Sequence, residues 1–461
     1  MTLLMSQGLR FVYVFVIARL LGAELYGLLA FGNAWYMIFL PFTGLGLGVY
    51  LSQKVGKNQL KAANRTVPLV ASIRFIAVSL VAGLCLGLGL YQADSIIVSQ
   101  IIIVFSLALV GRAMVLWSTQ MFQAYEKTIF VFKLERIFKP LEVTLGLIVA
   151  YLTGNVILVA AVHAVSMFLQ GLVGIAWVNK QLVRVKLVWK PQIMLAIVVK
   201  LLPLGIAVAL GQFLFQGPVV LLKQEGISLT QIGNFSLAIQ LFMVFLTVFS
   251  SLKTAALPAL SRHAIQSPDK LRDFSRYSII LAVVFGCLCS LVVSQYAEPV
   301  IVWVFTEKFL LAGQTISLLI WALIPAIIHN MLNSTQAALE HNKSILIINA
   351  IGAILLVLGM YEHTEVNGLA GASYAVIVGF TGAALTSIIY LIYKGIMDFY
   401  RGLLLPSIVV VSTIAMVLLL KLYMQAHFAI LISTIWMAVL TWRLLLGVTE
   451  REAVLVKLKR Q

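Results

Sequence analysis

Acidic residues are scarce in this sequence, with 16 Asp and Glu against 33 Lys and Arg, and the charged types together make up only 11% of 461 residues. An ordinary soluble protein carries about 25% charge. A chain that is 62% hydrophobic has too little polar surface to fold in water, so lipid has to be its solvent. Cysteine is also rare: Cys85, Cys287 and Cys289 all fall in apolar runs, which argues against a disulfide framework. No P-loop, H-E-x-x-H or G-x-S-x-G occurs, so the usual marks of phosphate, zinc and serine-nucleophile chemistry are missing. No catalytic residue, metal site or cofactor is expected. Nor is a cleavable signal peptide, because the first apolar run passes straight into Arg19-Leu-Leu-Gly22 with no A-x-A-like site.

What is present is apolar length. Fourteen long apolar segments fill the chain, at about 3–22, 28–52, 67–91, 95–121, 138–153, 155–178, 194–222, 231–257, 277–305, 311–339, 344–361, 368–393, 403–423 and 428–447. A membrane span needs about 20 such residues. The run 138–153 is short, so its helix is expected to begin earlier. The expected fold is all-α and polytopic.

The net charge of +17 would point to nucleic acid in a soluble protein. Here its distribution points to membrane orientation instead. Of the 33 bases, 23 lie in every second loop and in the C-terminal tail: Lys54, Lys57, Lys61 and Arg65; Lys127, Lys133, Arg136 and Lys139; Lys180, Arg184, Lys186 and Lys190; Arg262, Lys270, Arg272 and Arg276; Lys343; Lys394 and Arg401; and Arg451, Lys457, Lys459 and Arg460. The intervening loops hold only Lys223 and Lys308, beside Asp94, Glu298, Glu307, Glu362 and Glu365. By the positive-inside rule both termini are expected in the cytoplasm, in a bacterial or archaeal cytoplasmic (inner) membrane. Ser267-Pro268-Asp269 reads as the start of a short helix on the cytoplasmic surface. Val183 to Trp189 alternates apolar and basic residues, a pattern suited to the interface.

One string occurs twice. Ser118-Thr119-Gln120, six residues, then Lys127-Thr128-Ile129 recurs 216 positions later as Ser334-Thr335-Gln336, six residues, then Lys343-Ser344-Ile345. A weaker echo pairs Tyr26-Gly27 with Ile232-Gly233. An even number of spans between copies makes the repeats parallel. The expected organisation is therefore an N-terminal six-helix lobe at 1–190, a second at 191–394, and an added helix pair with a tail at 395–461.

These residues also carry a family resemblance. Arg19-Leu-Leu-Gly22-Ala-Glu-Leu-Tyr26-Gly27 resembles the A-R-x-L-G-x-x-x-Y-G signature of polysaccharide flippases. Ile232-Gly233-Asn234-Phe235-Ser236-Leu237-Ala238 with Pro258-Ala-Leu-Ser261 is similar to that family's spans 7 to 8, and Gly368-Leu-Ala-Gly371-Ala372 to its span 12. The family lies in the multidrug/oligosaccharidyl-lipid/polysaccharide exporter superfamily. The resemblance implies two lobes in a V around a central cavity, and alternating access for a polyprenyl-pyrophosphate-linked oligosaccharide such as an O-antigen, capsule or exopolysaccharide unit. The family usually has a basic segment before its first span, which does not precede this one. The cavity arginines of the lipid II flippase have no counterparts here and are not carried over.

Bases within spans are costly, so they face the bundle interior or snorkel to headgroups. Arg19, Lys421 and Arg443 lie near span ends and suit snorkelling, whereas Arg10, Arg74, Arg112, Lys200 and Lys253 lie deeper, all in the expected cytoplasmic half. A cationic, inward-facing cavity for a pyrophosphate is the functional reading, since guanidinium forks suit phosphate oxygens. Polar residues at helical spacing add sugar-binding candidates: Gln212 and Gln216; His329, Asn333 and Gln336 with Glu340; Arg112, Thr119 and Gln123; His163, Ser166 and Gln170. Each stripe reads equally well as helix–helix hydrogen bonding. Glu142 is the one acid clearly inside a span. It either pairs with Lys139 or another base or, with His163, binds a coupling cation, H+ or Na+. Gly44, Gly46 and Gly48, and Gly83, Gly87 and Gly89, have the spacing of helix-packing or hinge positions.

The scarcity of buried carboxylates weighs against the first alternative, a multidrug cation antiporter of the same fold. The lack of a sizeable outward loop weighs against the second, a membrane-embedded polysaccharide polymerase or glycosyltransferase. The expected partners are the lipid-linked glycan, membrane lipids and polysaccharide assembly proteins around a monomer, with no nucleic acid.

Overall fold

The computed structural model describes residues 2–266, 268–339 and 341–446, with side chains described at 8, 9, 12–247 and 249 and, within those ranges, from 269 onward. Every regular element among the described residues is helical. The helices are α1 (Thr2–Phe39), α2 (Leu47–Lys57), α3 (Gln59–Lys61), α4 (Val67–Gln92), α5 (Ile96–Ala124), α6 (Ile129–Thr153), α7 (Val156–Gln181), α8 (Pro191–Gln224), α9 (Leu229–Gln266), α10 (Pro268–Phe305), α11 (Leu310–Leu319), α12 (Leu323–Ala338), α13 (Asn342–Tyr393), α14 (Leu405–Tyr423) and α15 (Ala426–Leu440).

Among the described residues, eleven helical stretches are long and apolar enough to cross a membrane. Two of them, Val12–Lys57 and Asn342–Tyr393, each hold two of the expected spans. Their joins are glycines with non-helical backbone, Gly22 (φ 77°, ψ 173°) and Gly368 (φ 54°, ψ −129°). α6 is not one of the eleven because Arg136, Lys139 and Glu142 interrupt its apolar run. Counting the two double stretches twice and adding α6 gives the fourteen segments read from the sequence. α6 does begin earlier than its apolar run, at Ile129.

Two expectations are corrected. Pro268 opens α10, which runs on to Phe305, so no separate surface helix forms there. Nothing between Asp269 and Tyr277 breaks a helix, and the segment simply extends the span; Ser267 lies outside the described residues. The second correction is in the run 28–52, which is not one helix. α1 ends at Phe39, a 3-10 turn covers Leu40–Thr43, and α2 starts only at Leu47. Pro41 opens the turn, and Leu45 (φ 42°) and Gly46 (φ 74°) both adopt left-handed backbone. That conformation is costly for Leu45 and free for glycine.

The chain divides into two compact units, Met1–Ser236 and Leu237–Gln461. In the first, close crossings use small residues, as membrane helices do when lipid removes any hydrophobic drive between them. A Cβ on Gly111 of α5 would lie 2.5 Å from the Phe168 backbone nitrogen of α7, and one on Gly171 3.0 Å from the Gly111 carbonyl. In the same unit Leu47, Leu51, Val70, Ile73, Met121, Phe122, Val178 and Leu201 belong to a buried cluster contributed by α2, α4, α5, α7 and α8. The α7–α8 connection is extended. Its Val188 N–H donates to Ser72 of α4 (2.7 Å), Leu182 and Val185 pack on the cluster, and Arg184, Lys186 and Lys190 point outward. In the second unit Leu291, Val417 and Ile430 pack α10 against α14 and α15, with Trp321 at their edge.

Candidate functional site

A cavity of about 540 Å³ lies within the first unit, walled by the α1–α2 break, α4, α5 and α8. Its polar lining comprises Thr43, Ser52, Gln53, Arg74, Gln120, Gln123 and Gln212, and among the described residues no acidic side chain lines it. Arg74 enters from α4 at 4% exposure. Its Nη1 donates to Gln120 Oε1 (2.6 Å) and its face lies over Trp117, 5.9 Å from the ring centroid. Nε and Nη2 are buried and have no partner. A guanidinium buried without a carboxylate is costly. Among the described residues the salt bridges are Lys139–Glu142, His163–Glu142 and Lys223–Asp94, and none involves Arg74.

Glycine makes room for this arrangement. A Cβ on Gly48 would lie 2.5 Å from Gln120 Cδ, and one on Gly44 3.9 Å from Arg74 Nη2. Gly46 requires its positive φ. These three glycines lie at a helix break around the cavity, and Gly46 and Gly48 are also close-packed, against Leu204 of α8 and Gln120 of α5. Gly83 and Gly87 have no atom within 4 Å of a would-be Cβ, so they are not packing positions; Gly89 is one, against Ile102 and Trp35.

The other sequence candidates are not gathered at this cavity. Gln212 lines it, but Gln216, one turn further along α8, is buried away from it. Lys200 is exposed on α8 beside the exposed Val199 and Leu202, the setting expected of a snorkelling base. Arg112 is half-buried and reaches only the Met167 sulfur (3.9 Å). The side chains of Arg10 and Lys253 lie outside the described residues. In the second unit His329 Nε2 and Asn333 Nδ2 are 3.2 Å apart, and Gln336 Oε1 accepts from Ser344 (2.8 Å). That stripe is thus partly occupied by local hydrogen bonds, and Glu340 lies outside the described residues.

Glu142 and His163 meet at a second point. Glu142, at 4% exposure, takes Lys139 Nζ at 3.1 Å on one oxygen and His163 Nδ1 at 2.8 Å on the other. His163 Nε2 is 3.3 Å from the buried Tyr36 hydroxyl, whose ring stacks on Phe105. The expected pairing of Glu142 with Lys139 is present, and a contact with His163 joins it in one hydrogen-bonded chain across α6, α7 and α1. Among the described residues no group of three His, Cys, Asp or Glu has the arrangement of a metal site.

Residues 1–264 match the model of the family described as polysaccharide biosynthesis protein. The chain belongs to that family. No curated protein matches it in sequence. Among solved structures, this polysaccharide biosynthesis family member is similar to a lipid II flippase, MurJ, in an inward closed conformation: 12% identity, 95% of this chain and 97% of that one, TM-score 0.70. It also resembles an inward-facing multidrug resistance transporter of the MATE family in the MOP superfamily (14%, 84% and 94%, TM-score 0.68). A third is a MOP superfamily transporter from Pyrococcus furiosus, whose reversed pocket polarity is said to suggest a different function (15%, 85% and 93%, TM-score 0.63). At such identities these likenesses concern the fold, which is that of membrane transporters.

Within this family member, two features of the cavity escaped the sequence reading. Gln120 stood out only as part of a repeated string, yet it fixes Arg74. The broken helix carried a visible signal, Pro41 followed by glycines at alternate positions 44, 46 and 48 inside an apolar run. A Gly/Pro-interrupted span is a known pointer to a transporter binding site.

Proposed function

We propose that the protein moves an anionic, lipid-linked oligosaccharide across the cytoplasmic membrane, with both termini inside. The observation that carries this reading is Arg74: a buried cation with Nε and Nη2 unpartnered, beside a cavity lined by amide side chains and, among the described residues, by no carboxylate. Such a site attracts an anion and repels the cationic substrates of a drug antiporter. Gln120, Gln123 and Gln212 supply donors and acceptors suited to sugar hydroxyls or phosphate oxygens. Arg74 is seven residues into α4, about 10 Å by helical rise, from the end expected to be cytoplasmic. An anionic headgroup entering from the inner leaflet would meet it there. Glu142 and His163, joined to Tyr36, are the residues proposed to bind a coupling cation.

The test is the leaflet distribution of the lipid-linked glycan in a deletion strain carrying the wild-type gene or Arg74→Gln. Deletion should trap the glycan on the inner face, and Arg74→Gln should lower its export at least tenfold. Normal export in the deletion strain, with no second flippase gene present, overturns the reading. Normal export by Arg74→Gln removes the cavity from it.

A further inference from the structure

The connection from α7 to α8 is a fixed strap with two unlike faces. Residues 183–190 form no helix. Val185 N–H donates to Asn179 Oδ1 and Val188 N–H to Ser72 Oγ of α4, both at 2.7 Å. Lys127 Nζ donates to the Gln181 carbonyl just before the strap (3.4 Å). Leu182 and Val185 pack on the buried cluster of the first unit. The other face carries Arg184, Lys186 and Lys190, all exposed, with Leu187 at 59% and Trp189 at 74% exposure among them. A tryptophan and a leucine left open beside three cations suit neither water nor the hydrocarbon core. They suit the headgroup boundary, where an apolar ring sinks toward acyl chains and bases stay with phosphates.

Lys200 is the independent second element. Ile193, Ala196 and Lys200 follow i, i+3, i+7 along α8, and all three are exposed. The inward side of the same turns, Met194, Ile197 and Leu201, belongs to the buried cluster. Lys200 is thus held on a face that meets lipid, about 10 Å by helical rise beyond Ile193. Its ammonium has to lie back toward the headgroups, and Ala196, one turn nearer the strap, is too small to block that path. No acidic residue occurs between Glu142 and Glu225. Among the described residues no salt bridge involves Arg184, Lys186, Lys190 or Lys200. Four cations therefore flank one stretch of lipid-facing surface, and the protein supplies no counter-ion for them.

We propose that the 183–190 strap, with the first turns of α8, is a binding site for an anionic phospholipid of the surrounding membrane. Arg184, Lys186 and Lys190 hold its headgroup phosphate from the aqueous side and Lys200 reaches it from the hydrocarbon side, while Trp189 and Leu187 pack on its acyl chains. The apolar residues interleaved with the bases select a lipid over a soluble phosphate. The site is separate from the Arg74 cavity and does not depend on what the protein transports. Its bearing on the cavity is mechanical. Val188 is bonded to Ser72, two residues before Arg74, and α8 carries Leu204, Val208 and Gln212 to the cavity wall. A lipid on the strap holds the ends of α4 and α8 in register.

The experiment takes the full chain in micelles carrying rising fractions of dioleoyl phosphatidylglycerol or dioleoyl phosphatidylcholine and counts bound lipid by native mass spectrometry. The wild type is expected to hold one phosphatidylglycerol at least tenfold more tightly than phosphatidylcholine. Arg184→Gln/Lys186→Gln/Lys190→Gln should weaken phosphatidylglycerol binding at least tenfold, and Lys200→Gln about fivefold. Lys54→Gln/Lys57→Gln/Lys61→Gln removes the same charge from another exposed basic cluster and should leave it unchanged. Equal loss in the two triple variants would reveal diffuse attraction and overturn the site, as would the absence of any preference in the wild type. In nanodiscs, replacing phosphatidylcholine by phosphatidylglycerol should raise the melting temperature of the wild type and not that of the strap variant. A wild-type melt of the strap variant in phosphatidylcholine shows that it folds; if it does not fold, Lys200→Gln decides, and undiminished binding by that variant overturns the site. Polyprenyl phosphate and inorganic phosphate are then added as competitors. Retention of phosphatidylglycerol against both supports a phospholipid site, and displacement by either overturns that assignment.

Discussion

At Arg74 one guanidinium meets Gln120 at Nη1 and the Trp117 ring under its face, while Nε and Nη2 are buried without a partner. Arg74→Met removes the hydrogen bond, worth about 1.5–3 kcal/mol for a charged donor, and a cation–π contact of about 1–2 kcal/mol. It also removes a mid-span cation that costs about 3 kcal/mol or more to bury. These contributions nearly cancel, so purified Arg74→Met should unfold within about 1 kcal/mol of wild type while glycan export is lost. A melting temperature clearly below wild type would mean that Arg74 is there for structure. Gln120→Leu should behave differently. It leaves the cation in place without its one hydrogen-bond acceptor, and thermal unfolding should show a loss of about 1–3 kcal/mol.

At the scale of helices, the two members of the weaker sequence echo touch. A Cβ on Gly27 of α1 would sit 2.0 Å from the Leu229 carbonyl oxygen, and one on Gly233 of α9 1.9 Å from the Ala23 carbonyl oxygen. The two helices cross backbone to backbone at their glycines. Gly233→Val should force them apart, with a loss of about 3 kcal/mol, the upper end of overpacking costs, seen as a lower melting temperature and reduced membrane accumulation. Gly87→Ala, in open space, should leave both unchanged; a wild-type melt for Gly233→Val would contradict the crossing. The contrast also shows what was legible in the sequence. Hydropathy marks a span whatever its backbone does, so the span pattern and the early start of α6 could be read in advance. The same insensitivity hid the break at Gly44–Gly46, because Pro41 and three glycines leave the run apolar. Depth could be counted from sequence, but direction could not: Arg74 and Lys200 lie at similar depth, seven and nine residues past the starts of α4 and α8, and only the rotation of each helix about its axis decides that one is buried and the other exposed. Gln120 was hidden for the same reason, since its partner is 46 positions away in sequence.

At the scale of the molecule, the charge pattern and the site make a joint demand. The bases cluster in alternate connections, and one of the two exceptions, Lys223, donates to Asp94 at the opposite side's α4–α5 loop. That hydrogen bond holds the Asp94 carboxyl below its usual range, and the ionised carboxylate offsets the charge of Lys223. These intervening loops therefore carry almost no unbalanced positive charge, which sharpens the charge asymmetry between the two sets of loops. If the basic loops are cytoplasmic, Arg74 lies in the inner half of the bilayer, where a lipid carrier is loaded. Orientation is then a direct test of mechanism. In a background without Cys85, Cys287 and Cys289, single cysteines at the exposed positions Lys61 and Lys186 should resist a membrane-impermeant maleimide in intact cells and react after permeabilisation. A cysteine at the exposed Glu307 should react in both. The reverse pattern would put the cavity's polar mouth on the outer leaflet and require the protein to take up its anion from outside, which would make it an importer.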